Sequence, residues 1–207
     1  MKYLIYILAA GLMLAGLNSC ISSKTSESPT PSVIFGVLNS FPDHPKYLKN
    51  KILVVKNKTT TIDTLSVKSR LTEAVSQFLK DKGYQVKEVG SKTALKEGQV
   101  DMIIEIVPRE VHKMEGMTAY GFSDRKGLLG LVNQSPRSYV AMHLELSRAN
   151  SKRIIKTNRE ERFSDLGVKT MPDNWEELTQ EEKHTFEENL LENMEKNTYI
   201  LMSRLKI

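Results

Sequence analysis

The chain has one cysteine, one tryptophan, little excess of either charge and a single long apolar run. Each shortage excludes something. With Cys20 alone, no disulfide framework forms, so the 207 residues must rely on a hydrophobic core. The 30 Lys and Arg against 25 Asp and Glu give a net charge of only +5. That excess is too small and too dispersed for a nucleic-acid footprint, and it supports at most a mild attraction to anionic surfaces. The histidines, His44, His112, His143 and His184, show no HxH or HxxxH spacing that would bring two imidazoles to one ion, so no metal is expected. No Walker A loop and no dinucleotide fingerprint is present, so no cofactor is expected either. Gly121-Phe122-Ser123-Asp124-Arg125 begins like a nucleophile elbow but lacks the second glycine.

What is present starts at the N-terminus. Met1-Lys2 is a short basic start, and Tyr3 to Leu17 is an uncharged apolar run of the kind found in secretory signals. The run ends in Leu17-Asn18-Ser19-Cys20. This resembles the lipobox of bacterial lipoproteins, with a branched apolar residue three places before the cysteine and a small residue just before it. Leu17 breaks the A-x-A pattern of an ordinary signal-peptidase site. The resemblance implies cleavage before Cys20, acylation of that cysteine, and anchoring in a membrane. No cysteine nucleophile then remains. Ile21 to Ser32, rich in Ser, Thr and Pro, has almost nothing to bury and reads as a flexible tether. No Asp follows Cys20, which leans toward the outer membrane. The expected organisation is a signal peptide over 1–19, a lipidated tether over 20–32, and one α/β domain over 33–207.

Within that domain, Val33 to Leu38 is a first short strand, and Phe41-Pro42-Asp43-His44-Pro45 breaks regular structure. Ile52-Leu53-Val54-Val55 reads as a strand buried on both faces, and Lys58 to Thr64 as a polar turn. Val67, Leu71, Ala74, Val75, Phe78 and Leu79 fall at helical spacing, with Leu71 and Phe78 on the inner face and Gly83 at the C-cap. Tyr84 to Val89 and Asp101 to Val107 are further strands, the second stopped by Pro108. A long irregular excursion spans Val111 to Arg137. Tyr139 to Ser147 then alternates, turns at Ala149 to Lys152, and returns over Arg153 to Phe163. Trp175 sits in a short helical turn. Thr179 and Glu182 form a capping box opening a last helix striped by Phe186, Leu190, Met194, Leu201 and Leu205. The order predicts an α/β fold, a mixed sheet covered on one face by two helices. The segment Ile52 to Val89 resembles the opening unit of a class of envelope lipoproteins. That class includes the curli-secretion lipoprotein family, the amino-terminal domain of TolB and the lipoprotein activators of penicillin-binding proteins. It implies periplasmic assembly or scaffolding and carries over no functional residue.

Two features invite chemistry. His143 and Glu145 share a strand face and are the best ligand-like pair, though alternation alone explains them as the polar solvent face of a hairpin. The acidic pairs Glu176-Glu177, Glu181-Glu182 and Glu187-Glu188 read as the solvated face of the last helix. In the excursion, Gly127-Leu128-Leu129-Gly130-Leu131-Val132 is an apolar, glycine-bearing run that offers Leu128, Leu129 and Leu131 and is flanked by Arg125, Lys126 and Arg137. These six are the candidate contacts with a partner or a membrane, set against a loop folded back on the sheet. The expected function is non-catalytic: a membrane-anchored domain that binds a protein or envelope polymer. Two alternatives stand beside it. A cell-wall or glycan hydrolase would need a cleft holding acids of raised pKa. A lipid or lipopolysaccharide carrier would need an apolar pocket between helices and sheet.

Overall fold

The computed structural model describes residues 33–49, 58–112, 117–124, 135–149, 151, 153–205 and 207. In chain order these form β1 (Ile34–Asn39), β2 (Lys46–Lys49), β3 (Lys58–Thr61), α1 (Lys68–Asp81), β4 (Gln85–Glu88) and the single turn α2 (Thr93–Lys96). There follow β5 (Met102–Pro108), β6 (Tyr120–Asp124), β7 (Arg137–Arg148), β8 (Ile155–Lys156), β9 (Glu160–Asp165), a 3-10 turn (Trp175–Glu177) and α3 (Gln180–Arg204). Ser32–Ile207 is one compact unit.

The hub of the curled, nine-stranded mixed sheet is β7. On one side, its C-terminal half pairs antiparallel with β5 and its N-terminal half with β6. Ala141, at the junction, accepts from the Arg109 N–H at 2.9 Å and donates to the Ala119 carbonyl at 2.7 Å. So β5 and β6 are one lane, interrupted by a small excursion that the Glu110–Thr118 bridge closes. Ala119 sits at φ 61, where an L side chain is strained, at the point where the lane resumes. β1 and β2 repeat the interruption one lane out, β1 parallel to β5 and β2 parallel to β6. Phe41 to Pro45 fills their gap. β4 and β3 close that edge, and β9 with β8 flanks β7 on the other side.

The expected mixed sheet with two helices on one face is present. Along β7, Val140, Met142, Leu144 and Leu146 face the helices and belong to the main core. α1 presents Leu71, Val75 and Leu79 to that core, all at 0% exposure, one turn apart. Phe78 differs from expectation. It is half-buried at the helix flank, its ring 5.9 Å from that of Tyr199, because the inner line runs through Leu79. After α1, Gly83 takes φ 85, a left-handed conformation that suits glycine, and turns the chain into β4. α3 opens with the predicted capping box, Glu182 N–H to Thr179 Oγ1 at 3.2 Å and Thr179 N–H to Glu182 Oε2 at 2.8 Å. Its buried stripe is Phe186, Leu190, Met194 and Leu201. The lone Trp175 stacks on Phe122 and, with Phe186, ties β6, the 3-10 turn and α3 together.

Three segments depart from the sequence reading. Lys58 to Thr61 is an edge strand rather than a turn; Thr and Lys suit an edge that faces water. β2 arises between breakers, with Tyr47 turned to the core and its hydroxyl donating to the Pro172 carbonyl at 2.7 Å. The excursion placed over Val111 to Arg137 contains β6, a wholly buried strand. Gly121 is required there, since a Cβ would stand 2.1 Å from the Lys46 carbonyl oxygen of β2. The strand expected at Ile52 to Val55 lies outside the described residues.

Candidate functional site

Turning β7 over exposes its other rank. His143 and Glu145 lie there, and neither is solvated as a hairpin's polar face would be: both are 7% exposed. The pairing puts Glu105 of β5 directly opposite Glu145. Two carboxylates side by side in a poorly hydrated place repel unless cations intervene. Lys92, entering α2, bridges them, with Nζ 2.5 Å from Glu105 and 3.4 Å from Glu145. Lys156 of β8, opposite Glu145 in the register, pairs with it at 2.6 Å. His143 Nε2 lies 3.1 Å from the same carboxylate oxygen, and the Ser40 hydroxyl donates to Glu105 at 2.7 Å.

The electrostatic result is a carboxylate pinned in its charged form. The Lys156 hydrogen bond, opposed by burial and aided by His143 and Lys92, holds Glu145 down at about 2. Lys92 is in turn raised, chiefly by its hydrogen bond to Glu105. With Glu145 ionised, the imidazole donates from Nε2. Its buried Nδ1 then has no hydrogen-bond partner among the described residues. Glu145 is therefore a poor proton acceptor at neutral pH. Among the described residues, no three His, Cys, Asp or Glu side chains are grouped to hold a metal ion.

The helical face carries a different feature. α1 and α3 pack side by side and leave an open groove of about 800 Å³ between their outer flanks. Phe78, Ala74 and Tyr199 give it an apolar floor, and Arg70, Asp81 and Glu195 stand among its charged walls. Tyr199 is 67% exposed, an aromatic ring held out to solvent. Thr198 also lines the groove. It is 2% exposed, and its hydroxyl has no partner among the described residues. On the inner side of the same helix, Asn193 and Asn197 are buried and donate to the Ser138 hydroxyl (3.1 Å) and the Val140 carbonyl (3.4 Å). These amides fix the rotation of α3 and so decide that Tyr199 points outward.

Of the residues singled out from sequence, Cys20, Arg125, Lys126, Leu128, Leu129 and Leu131 lie outside the described residues. Arg137 opens β7 as a half-buried strand residue, opposite Ser123 of β6 and Asp165 of β9. His143 and Glu145 are brought together, with Lys92, Glu105 and Lys156 added from three other elements. The groove escaped the sequence reading. Its only signal was Tyr199, an aromatic lying one position off the buried stripe of α3.

No family model matches the chain, and no curated protein matches it. Among solved structures, it is similar to the DUF330 protein XCC0632 of Xanthomonas campestris, at 11% identity and a TM-score of 0.45, over 84% of this chain and 85% of that one. It is also similar to the hypothetical protein CT253 of Chlamydia trachomatis, at 6% identity and a TM-score of 0.43, over 84% and 96% of the two chains.

Proposed function

We propose that the chain is a lipid-anchored envelope protein whose α/β domain is a non-catalytic binding module for a protein or envelope polymer. Leu17-Asn18-Ser19-Cys20 supports the anchor, the Ser- and Pro-bearing segment after it supports a tether, and the lack of Asp after Cys20 supports the outer membrane. The likeness of Ile52 to Val89 to the opening unit of envelope assembly lipoproteins points the same way. The observation that carries the binding role is the α1–α3 groove. A two-thirds exposed tyrosine over a half-buried phenylalanine, walled by both signs of charge, has the make-up of an interface anchor inside a polar rim. The rivals have less support. A hydrolase needs an acid held protonated, and Glu145 is displaced the opposite way. A carrier needs space between helices and sheet, and there Leu71, Val75, Leu144 and Leu190 meet at 0% exposure.

Two experiments test the two halves. Cys20→Ser abolishes acyl labelling and leaves a longer, unprocessed precursor; a mutant still cut after Ser19, with wild type recovered unlabelled and soluble, defeats the anchor. A photo-crosslinking residue in place of Tyr199 in intact cells yields a discrete adduct. The same residue at Glu88, on edge strand β4, yields none. Equal, diffuse labelling at both positions defeats the groove.

A further inference from the structure

The corner where β7 turns into β8 unites exposed apolar side chains with exposed cations. Ile154 and Ile155 are 43% and 37% exposed, and with Tyr199 they are the large hydrophobic residues most open to solvent among the described residues. No acidic residue occurs between Glu145 and Glu160. Lys156 and Arg159 are paired with Glu145 and Glu161. Arg148 and Arg153 are exposed and have no ion-pair partner among the described residues. A branched aliphatic pair beside exposed guanidinium groups matches a bilayer interface, where the chains enter the headgroup boundary and the cations meet lipid phosphates.

A second observation fixes which end of the domain this is. Ile34, the first strand residue, donates its N–H to the Asp101 carboxylate at 2.8 Å and accepts from the Asp101 N–H at 2.9 Å. Ala149, at the corner, donates to the Asp101 carbonyl at 3.0 Å. The chain therefore enters the domain beside the corner. From Cys20 to Ile34 a polypeptide reaches at most about 50 Å, whatever its conformation. An acyl anchor on Cys20 would make that reach the upper limit between the bilayer and Ile34. The carboxylate of Asp101, whose carbonyl Ala149 contacts, accepts from the Ile34 N–H.

We infer that the β7–β8 corner is a second lipid-contact site that lays Ile154 and Ile155 into the interface of an anionic bilayer, with Arg148 and Arg153 on its phosphates. The geometry part of this inference rests on the anchor at Cys20; the charge and exposure parts do not. Two weak contacts sharing one membrane reinforce each other, as one acyl chain and a basic patch do.

The test uses the full chain reconstituted into vesicles, with a polarity-sensitive label on Ile154→Cys or, as control, on Glu181→Cys at the start of α3. Vesicles contain phosphatidylglycerol in phosphatidylcholine, or phosphatidylcholine alone, with a quencher on the acyl chains. Quenching at position 154 is expected to exceed that at 181 several-fold in the anionic vesicles. It falls toward the control in pure phosphatidylcholine, in about 0.5 M salt, and with Arg148→Glu plus Arg153→Glu. The salt arm needs no charge variant, so a folding defect in the double mutant does not decide the matter. Equal quenching at 154 and 181 in anionic vesicles overturns the proposal. So does a label that stays aqueous on vesicles yet is protected in cells, which gives the corner to a protein partner. The mass of the N-terminal peptide from the same sample reads acylation separately. Unmodified Cys20 with 154 still quenched removes the anchor and keeps the corner; acylated Cys20 with 154 unquenched removes the corner alone.

Discussion

The two faces of β7 are built from alternate residues of one strand and stand on different physics. Val140, Met142, Leu144 and Leu146 meet α1 and α3 in a dry, apolar interface. Ala141, His143, Glu145 and Ser147 meet no long helix, yet they too are buried. Burial on the first face is favourable because apolar surface leaves water. On the second it is tolerated only because each charge has a partner, and such networks are costly to break but add little net stability. The helical face therefore holds the fold, and the ionic face is fixed by it. The proposed contacts lie outside both, in the groove and corner where side chains remain open.

The largest effect is expected where the apolar face is cut. Phe186→Ala removes a ring packed on Phe122 and Trp175 and should cost about 3–5 kcal/mol in urea unfolding. A loss under 1 kcal/mol would mean that α3 does not cap the sheet as described. Next is the seam between the two half-lanes. Gly121→Ala drives a methyl group into the Lys46 backbone and should cost about 1–3 kcal/mol or more, with β2 and β3 losing amide protection first. Uniform loss of protection across the sheet would deny that β2–β6 is a separable seam.

The ionic face should respond to pH where the apolar face does not. The folded pKa of Glu145 lies below its ordinary value of 4.5, so its stabilisation is complete above that value and lost as pH falls toward about 2. Glu145→Gln should cost about 1–2 kcal/mol at pH 7, since the exposed Lys156 and Lys92 are screened by solvent, and close to nothing near pH 2. A penalty that persists unchanged to pH 2 would show that packing, not charge, is at stake. Smallest is Tyr199→Ala, expected to shift stability by under about 0.5 kcal/mol because the ring is mostly in water. A larger loss would make Tyr199 part of the fold and weaken its assignment as a contact.

The alternation of β7, the helical spacing of Leu71, Val75 and Leu79, and the Thr179–Glu182 box were all legible, because each is a local pattern with a fixed period. β2, β3 and β6 were not. Lys58-Thr59-Thr60-Thr61 has no apolar residue to mark a face, and in Tyr120 to Asp124 only Tyr120 and Phe122 do, with Gly121 and Ser123 on the other rank. Their pairing is set by partners far along the chain. The His143–Glu145 pair was visible as a pair, but Lys92, Glu105 and Lys156 join it only through sheet register. Polar residues alternating with apolar ones suggested a wet face, and the sequence could not show that loops and cations close over it. Asn189, Asn193 and Asn197, one turn apart on α3, were a readable sign of a helix hydrogen-bonded to a sheet and went unread.

The claim that the ionic face is structural and closed is tested most directly by titrating the Glu145 carboxyl carbon by NMR in the folded protein. A midpoint at about 2 is expected. A midpoint above 4.5 would contradict it, because a carboxyl that keeps its proton in that pocket is equipped to act as an acid.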